Sequence, residues 1–319
     1  MNAHDLQRHR WRNRLHTLAL LAAMVAILAL MGSLFAGLQG ALWAGLLGLV
    51  ALIFAGQVSP WLVLRLYRAR PLSAADAPGL HARLAELARR AGLSRVPRPF
   101  YVPSRMMNAF AVGEPEDSAI ALSDGLLRNL DGRELTGVLA HEISHIRNND
   151  IRVMGLADLV SRVTGILAQF GQVMILLLLP MLLLEGVNLS SLFLTALILM
   201  LAPAATSLLQ LALSRVREYD ADMSAAELTG DPAGLASALG RIERIQGGWL
   251  ERLFLPGNRE ADPALLRTHP PSDERIRRLM KLDPGSGMYP KHSAIDRRYH
   301  PGWERPADPP RRHWPGVWY

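Results

Sequence analysis

The 319-residue sequence has no cysteine. That excludes disulfides and thiolate metal ligands, so any metal must be held by nitrogen and oxygen. Lysine is almost missing too: Lys281 and Lys291 are the only two, and arginine supplies the other cations behind a formal charge of +7. Arginine in place of lysine, beside abundant alanine, leucine and glycine, fits a GC-rich bacterial source. A basic balance suits nucleic acid or an anionic membrane surface. No nucleic-acid motif and no phosphate-cradling glycine loop accompanies it, and the arginines cluster beside apolar runs. The expected partner is therefore a lipid bilayer and not nucleic acid.

What the sequence does have is apolar residues, half of the total, gathered in two blocks at about 17–64 and 163–213. Arg8, Arg10, Arg12 and Arg14 precede an apolar run from Thr17 to Leu38. A signal peptide has the same order. This run, however, is long enough to span, lacks a clear small-residue cleavage site and meets a second apolar run after Gln39-Gly40. The pattern predicts transmembrane helices at 17–38 and about 42–64, and a second pair at 163–184 and 189–213 joined by Glu185-Gly186-Val187-Asn188. Neither connection holds Lys or Arg. Arg65, Arg68 and Arg70 follow the first hairpin, Arg147, Arg152 and Arg162 precede the second, and Arg215 and Arg217 follow it. By the positive-inside rule both hairpins keep their ends in the cytoplasm.

The polar segments between and after these blocks read as a soluble domain. Leu80, Leu84, Leu87 and Ala91 recur at helical spacing, and Gly92 is a stop. Residues 106–113 and 118–123 read as strands around the turn Glu114-Pro115-Glu116-Asp117. Asp131 with Glu134 three residues on has the spacing of a capping box, which opens a helix. Further helices are predicted at about 232–245 and 272–282, with a Gly- and Pro-punctuated loop at 247–264 between them. The fold class is thus mainly α with a small β-sheet, in an integral membrane protein with two transmembrane hairpins. Five segments follow: a basic arm and first hairpin (1–70), the first part of a catalytic domain (71–152), the second hairpin (153–213), the second part of the catalytic domain (214–284), and a Pro/Arg/Trp-rich tail with little fixed structure expected (285–319).

The helix that Asp131 opens carries Ala140-His141-Glu142-Ile143-Ser144-His145. Residues four apart share a helix face, so the imidazoles of His141 and His145 can close on one metal ion. Glu142 lies beside them, placed to take a proton from water on that ion. Neutral imidazoles suit zinc, which lowers the pKa of its water to about 7. A catalytic site needs a third protein ligand. Glu218 is a candidate, with Asp222 one turn further on to hold a ligand histidine by its other nitrogen. Spacing alone equally allows Glu218 and Asp222 to pair with Arg215 and Arg217 on a solvated face.

Three stretches together carry a resemblance: His141 to Ile146 followed by Asn148 and Asp150; Ser214-Arg215-Val216-Arg217-Glu218-Tyr219-Asp220-Ala221-Asp222; and Thr268-His269-Pro270-Pro271 with Arg275-Ile276. In this order, over about residues 17–282, the sequence resembles the membrane-bound gluzincin metalloproteases, the family of the bacterial heat-shock protease HtpX and the eukaryotic CAAX prenyl protease. Asn149 stands where a glycine is common. The resemblance implies a zincin-like catalytic domain with one zinc ion per chain on His141, His145 and Glu218. It makes Glu142 the general base, Asp222 a partner of a ligand histidine, and His269 and Arg275 donors to the oxyanion. Asn108-Ala109-Phe110-Ala111 is similar to the edge strand on which zincins lay their substrate as an added strand.

The expected activity is a zinc-dependent endopeptidase at the cytoplasmic face of a bacterial inner membrane. It would act on membrane proteins or other polypeptides in quality control. A CAAX-type prenyl peptidase, or a silent scaffold or chaperone of the same fold, are the alternatives. A metal transporter would carry its ionisable residues inside the spans, and these lie outside them.

Overall fold

A computed structural model describes residues 3–54, 60–253, 272–282, 312–313 and 317–318. The chain divides into two compact units.

The first unit is helical. It contains α1 (Ala3–Phe54), α6 (Asp150–Leu184) and most of α7 (Leu189–Thr229). Among the described residues three helical stretches are long and apolar enough to cross a membrane: Trp11–Gly48, Asp150–Leu184 and Leu189–Thr229. The first is broken where Ala36 and Gly37 leave helical geometry, Gly37 at φ +53, a left-handed value that glycine adopts without strain. A Cβ on Gly32 would collide with the carbonyl oxygen of Gly40, and one on Gly40 with that of Gly32. Eight residues along a straight helix would separate them by about 12 Å, so α1 folds back into two arms. The reversal falls at Ala36-Gly37, slightly earlier than the sequence pattern of Gln39-Gly40 suggests, because the close approach needs a glycine on each side of the bend. Met24, Leu28 and Ala44 from the two arms pack with Leu156, Ala157, Val160 and Leu213, and Met31 packs with Ala168, Leu199 and Ala202.

Pro203 lies inside α7. Having no N–H, it leaves the carbonyl of Leu199, four residues back, without a helical donor. Gln172 of α6 fills the gap, its Nε2 donating to that carbonyl at 3.2 Å. Outside these contacts the helices present apolar side chains such as Leu176, Leu177, Leu184 and Phe193 to the surroundings, a surface suited to lipid.

The second unit contains α2 (Pro60–Leu66), α3 (Pro78–Ala91), α4 (Asp124–Asn129), α5 (Gly132–Arg147), the end of α7, α8 (Pro232–Leu253), α9 (Ser272–Lys281) and a four-stranded sheet. The strands are β1 (Arg70–Pro71), β2 (Arg98–Val102), β3 (Ala109–Glu114) and β4 (Asp117–Ser123), in the order β1-β2-β4-β3. β2 and β4 run parallel. β3 and β4 form an antiparallel hairpin, with Ala109 opposite Leu122 and Glu114 opposite Asp117, and β3 is an edge. Phe100, Val102, Val112, Ala119 and Ala121 make one side of the core.

The apolar stretch expected to span the membrane to about residue 64 ends differently. Pro60 opens the separate helix α2, and its Leu64 packs into the sheet core with Phe100 and Val112. Trp61 lies edge-on to Phe100 at 5.9 Å, under the Arg98 guanidinium at 4.3 Å. Aromatic and cation–π contacts with the sheet thus hold residues 60–64 in this unit. Three smaller boundaries move as well. β3 starts at Ala109 rather than 106, α6 starts at Asp150 rather than 163, and α8 runs on to Leu253 into the stretch read as loop. In the tail, β5 (Arg312–His313) and β6 (Val317–Trp318) pair antiparallel.

Candidate metal centre

α5 is set by its N-terminus. The Asp131 carboxylate accepts from the backbone N–H groups of Arg133 at 2.9 Å and Glu134 at 2.8 Å, and Glu134 accepts from the Asp131 N–H at 3.0 Å. This capping box satisfies donors that the first helical turn leaves open. Ser237 of α8 donates to the other Glu134 oxygen at 2.7 Å. Gly137 lets the α8 backbone approach, since a Cβ there would sit 2.9 Å from the Leu235 Cα. The helix is held by its cap and by burial along most of its length, so a polar stripe towards its end is fixed in place.

That stripe is His141, Glu142 and His145, with His141 and Glu142 buried and His145 half-buried. The two Nε2 atoms lie 3.1 Å apart with the rings nearly perpendicular, at 87°. Zn–N bonds of about 2.0–2.1 Å in a tetrahedron put ligand atoms roughly 3.3 Å apart, so the spacing fits two imidazoles on one ion. Glu218 is buried on α7, and ligand atoms of His141, His145 and Glu218 all lie within 4.8 Å of one another. Two neutral nitrogens and one carboxylate form a donor set suited to a borderline divalent cation with a fourth position open.

Asp222 lies one turn after Glu218, and its Oδ1 is 3.0 Å from His141 Nδ1. An Nδ1–H donating to that carboxylate leaves the lone pair of the ring on Nε2, the atom that faces His145. Arg275 of α9 holds Asp222 in turn, donating from Nε at 2.8 Å and Nη2 at 2.7 Å. Its Nη2 also stands 3.4 Å from His141 Nε2. Both Asp222 and Arg275 are buried. Burial pushes the Asp222 carboxyl up, but the Arg275 guanidinium and the His141 hydrogen bond outweigh it and hold the group below the usual carboxylate range. Asp222 lies beyond the apolar stretch that ends at Leu213.

These contacts bear on the alternative that spacing leaves open. Asp222 pairs with Arg275 and His141. Arg217 pairs with Asp150 and Asp220, and Glu218 joins the histidines. Sequence reasoning missed the Arg275–Asp222 link. Arg275, Arg277 and Arg278 look alike along the chain, yet the last two are exposed and pair with Glu274. Apart from the resemblance, which singles out Arg275 as an oxyanion donor and not as a partner of Asp222, the sequence signal is the helical phase of α9, which puts Arg275 on the face that includes buried Leu279. His269 lies outside the described residues. Ala109, Phe110 and Ala111 lie on the edge strand β3, which packs against α5. Asn108 precedes it, its N–H donating to Ser123 Oγ at 2.8 Å.

The Peptidase family M48 pattern matches residues 74–283, which include every one of these residues. The chain belongs to this family. It is 37% identical over 285 residues to the protease HtpX homolog of Pelotomaculum thermopropionicum, covering 84% of this chain and 98% of that protein. To the protease HtpX homolog of Kineococcus radiotolerans it is 37% identical over 295 residues, covering 86% and 98%. The crystal structure of S. mikatae Ste24p is similar at 22% identity and a TM-score of 0.43, over 85% of this chain and 66% of that one. This M48 chain is accordingly a membrane metalloendopeptidase. Asn149 takes φ +55, a left-handed conformation that asparagine tolerates better than most side chains.

Proposed function

We propose that the ion is zinc, one per chain, held by His141, His145 and Glu218, and that the enzyme cleaves polypeptides at the cytoplasmic face of a bacterial inner membrane. The observation that carries this reading is the convergence of those three ligand atoms with Asp222 fixing the tautomer of His141. When bound, the metal supplies Lewis acidity, lowering the pKa of water and polarising the scissile carbonyl. Glu142 adjoins His141 on the helix and is buried, so its carboxylate takes the proton of the attacking water and returns it to the leaving amine. Arg275 keeps Asp222 ionised and His141 oriented, and with His269 it is the donor assigned to the oxyanion. Asn108 to Ala111 bind the substrate as an added strand. Asn108 and Ser123 face each other, the Ser123 N–H donating to the Asn108 carbonyl at 3.0 Å. Antiparallel alternation then turns the backbone groups of Ala109 and Ala111 to the open edge.

Reading the two arms of the folded-back α1 as separate crossings gives four in all, and the arginines at both ends of each hairpin favour a peptidase on the cytoplasmic side. Glu218 lies five residues past Leu213 on a continuous helix, about 8 Å along the axis. A substrate strand would thus be met close to the bilayer, which favours damaged or misassembled membrane proteins as substrates. Detergent-purified wild type and Glu142→Gln, given an unfolded test protein and assayed for metal, test the reading. Both are expected to hold about one zinc, with cleavage by the variant about 10²- to 10⁴-fold slower. Neither binding zinc would overturn the ligand assignment. Both binding it with neither cutting would favour a silent scaffold.

A further inference from the structure

α7 carries two polar faces where the metal centre needs only one. At about 100° per residue, Glu218 and Asp222 point one way, while Arg217 and Asp220 are centred about 150° around the axis. The second face is buried, like the first. Arg217 donates from Nε to Asp150 Oδ1 at 2.5 Å, with Nη2 on the same oxygen, and from Nη1 to Asp220 Oδ2 at 3.2 Å. Asn13, on the first arm of α1, donates from Nδ2 to the other Asp220 oxygen. One guanidinium thus joins α7 to the first turn of α6, and one amide joins it to α1.

None of these four side chains belongs to the ligand set, and a buried ion pair is weak evidence of stability, since apolar packing often does as well. What the arrangement does supply is orientation. Side-chain tips lie about 5–6 Å from a helix axis, so a 10° turn of α7 moves the Glu218 carboxylate by about 1 Å, whereas metal–ligand distances tolerate about 0.2 Å. Pro203 also removes one hydrogen bond from the ladder of α7, which weakens the hold of the preceding turns on its C-terminal part. We propose that Arg217, with Asp150, Asp220 and Asn13, is a positioning cluster that fixes the rotation of α7 so that Glu218 reaches the metal. This inference rests on the metal assignment proposed above. The fork of Arg217 serves two carboxylates on different helices, which the single ammonium of lysine does not reproduce.

The test uses the full-length protein in detergent, with Asp150→Asn, Arg217→Lys, their double variant and Asn13→Ala. Three quantities are read: zinc affinity by competition with a chromophoric chelator, the visible spectrum of the Co²⁺-loaded protein, and the melting temperature without metal. Asp150→Asn and Arg217→Lys are each expected to weaken zinc binding about 10- to 100-fold, and the double variant no further than the weaker single. The Co²⁺ spectrum should shift as the carboxylate withdraws. Asn13→Ala, which leaves both ion pairs in place, should weaken zinc binding less but in the same direction. Wild-type affinity and an unchanged Co²⁺ spectrum in the variants, with only the melting temperature lowered, would overturn the proposal. If the pair variants do not fold, an unchanged zinc affinity in Asn13→Ala does so alone. Wild type binding no zinc would remove the metal assignment first, a failure seen before any variant is made.

Discussion

In the helical unit, Leu184 is 88% exposed and Phe193 70%, while Gly32 and Gly40 lie where the arms of α1 touch. In the peptidase unit the residues at the centre of packing include Glu134, His141, Glu142, Asp222 and Arg275, all buried. One unit turns apolar groups outward and closes on small residues, and the other turns polar groups inward and satisfies them. The difference follows from the surroundings. Lipid offers no hydrophobic gain for burying leucine, so helices associate through close backbone approach and occasional hydrogen bonds. Water does offer that gain, and a polar group taken from it must find partners. Damage to the two units should therefore differ in kind as well as in size.

The largest effect is expected from stranding a charge in the peptidase unit. Arg275→Ala leaves the Asp222 carboxylate buried beside His141, without its guanidinium partner. Removing one member of a buried pair costs about 3–5 kcal/mol. The metal-free variant in detergent should melt well below wild type, and adding Asp222→Asn should recover part of the loss, because the neutral amide no longer needs a cation. A double variant as unstable as the single would mean that Arg275 contributes packing and not charge.

Arg275 also marks what can be read from sequence. Periodicity and capping chemistry are local, so the α5 helix, its Asp131–Glu134 box and the shared face of His141 and His145 were legible before any fold was known. Glu218 was legible as a candidate only, since a carboxylate one residue from an arginine has two ordinary explanations. The resemblance singles out Arg275 from Arg277, but its pairing with Asp222 shows only once α9 is packed against its neighbours. The apolar stretches hide their structure for another reason. A run that is apolar on every face has no phase, and so the reversal at Ala36-Gly37 and the capture of residues 60–64 by Phe100 leave little trace along the chain.

A middle-sized effect should come from the helical unit through volume alone. Gly40→Val puts a branched side chain against the Gly32 carbonyl, and overpacking of this kind costs about 1–3 kcal/mol. Cysteines placed at Val25 and Gly48, which face each other across the arms, should cross-link in the parent and poorly in the valine variant. Equal cross-linking in both would mean that the arms tolerate a wider separation than the two glycines suggest.

The smallest expected effect sharpens the comparison most. Gln172 donates to the one carbonyl that Pro203 strips of its helical donor, a polar tie inside an otherwise apolar contact. In water-soluble interiors an unsatisfied buried carbonyl costs about 1–3 kcal/mol. In membrane bundles a side-chain hydrogen bond is worth only about 0.6 kcal/mol on average, because the separated helices also find partners for it. Gln172→Leu should therefore lower the melting temperature only slightly, and Pro203→Ala, which gives Leu199 back its own helical donor, should make the same Gln172→Leu change nearly neutral. A loss as large as that of Arg275→Ala, undiminished by Pro203→Ala, would mean that the helical unit obeys the accounting of the peptidase unit and that its surroundings are not what set the two apart.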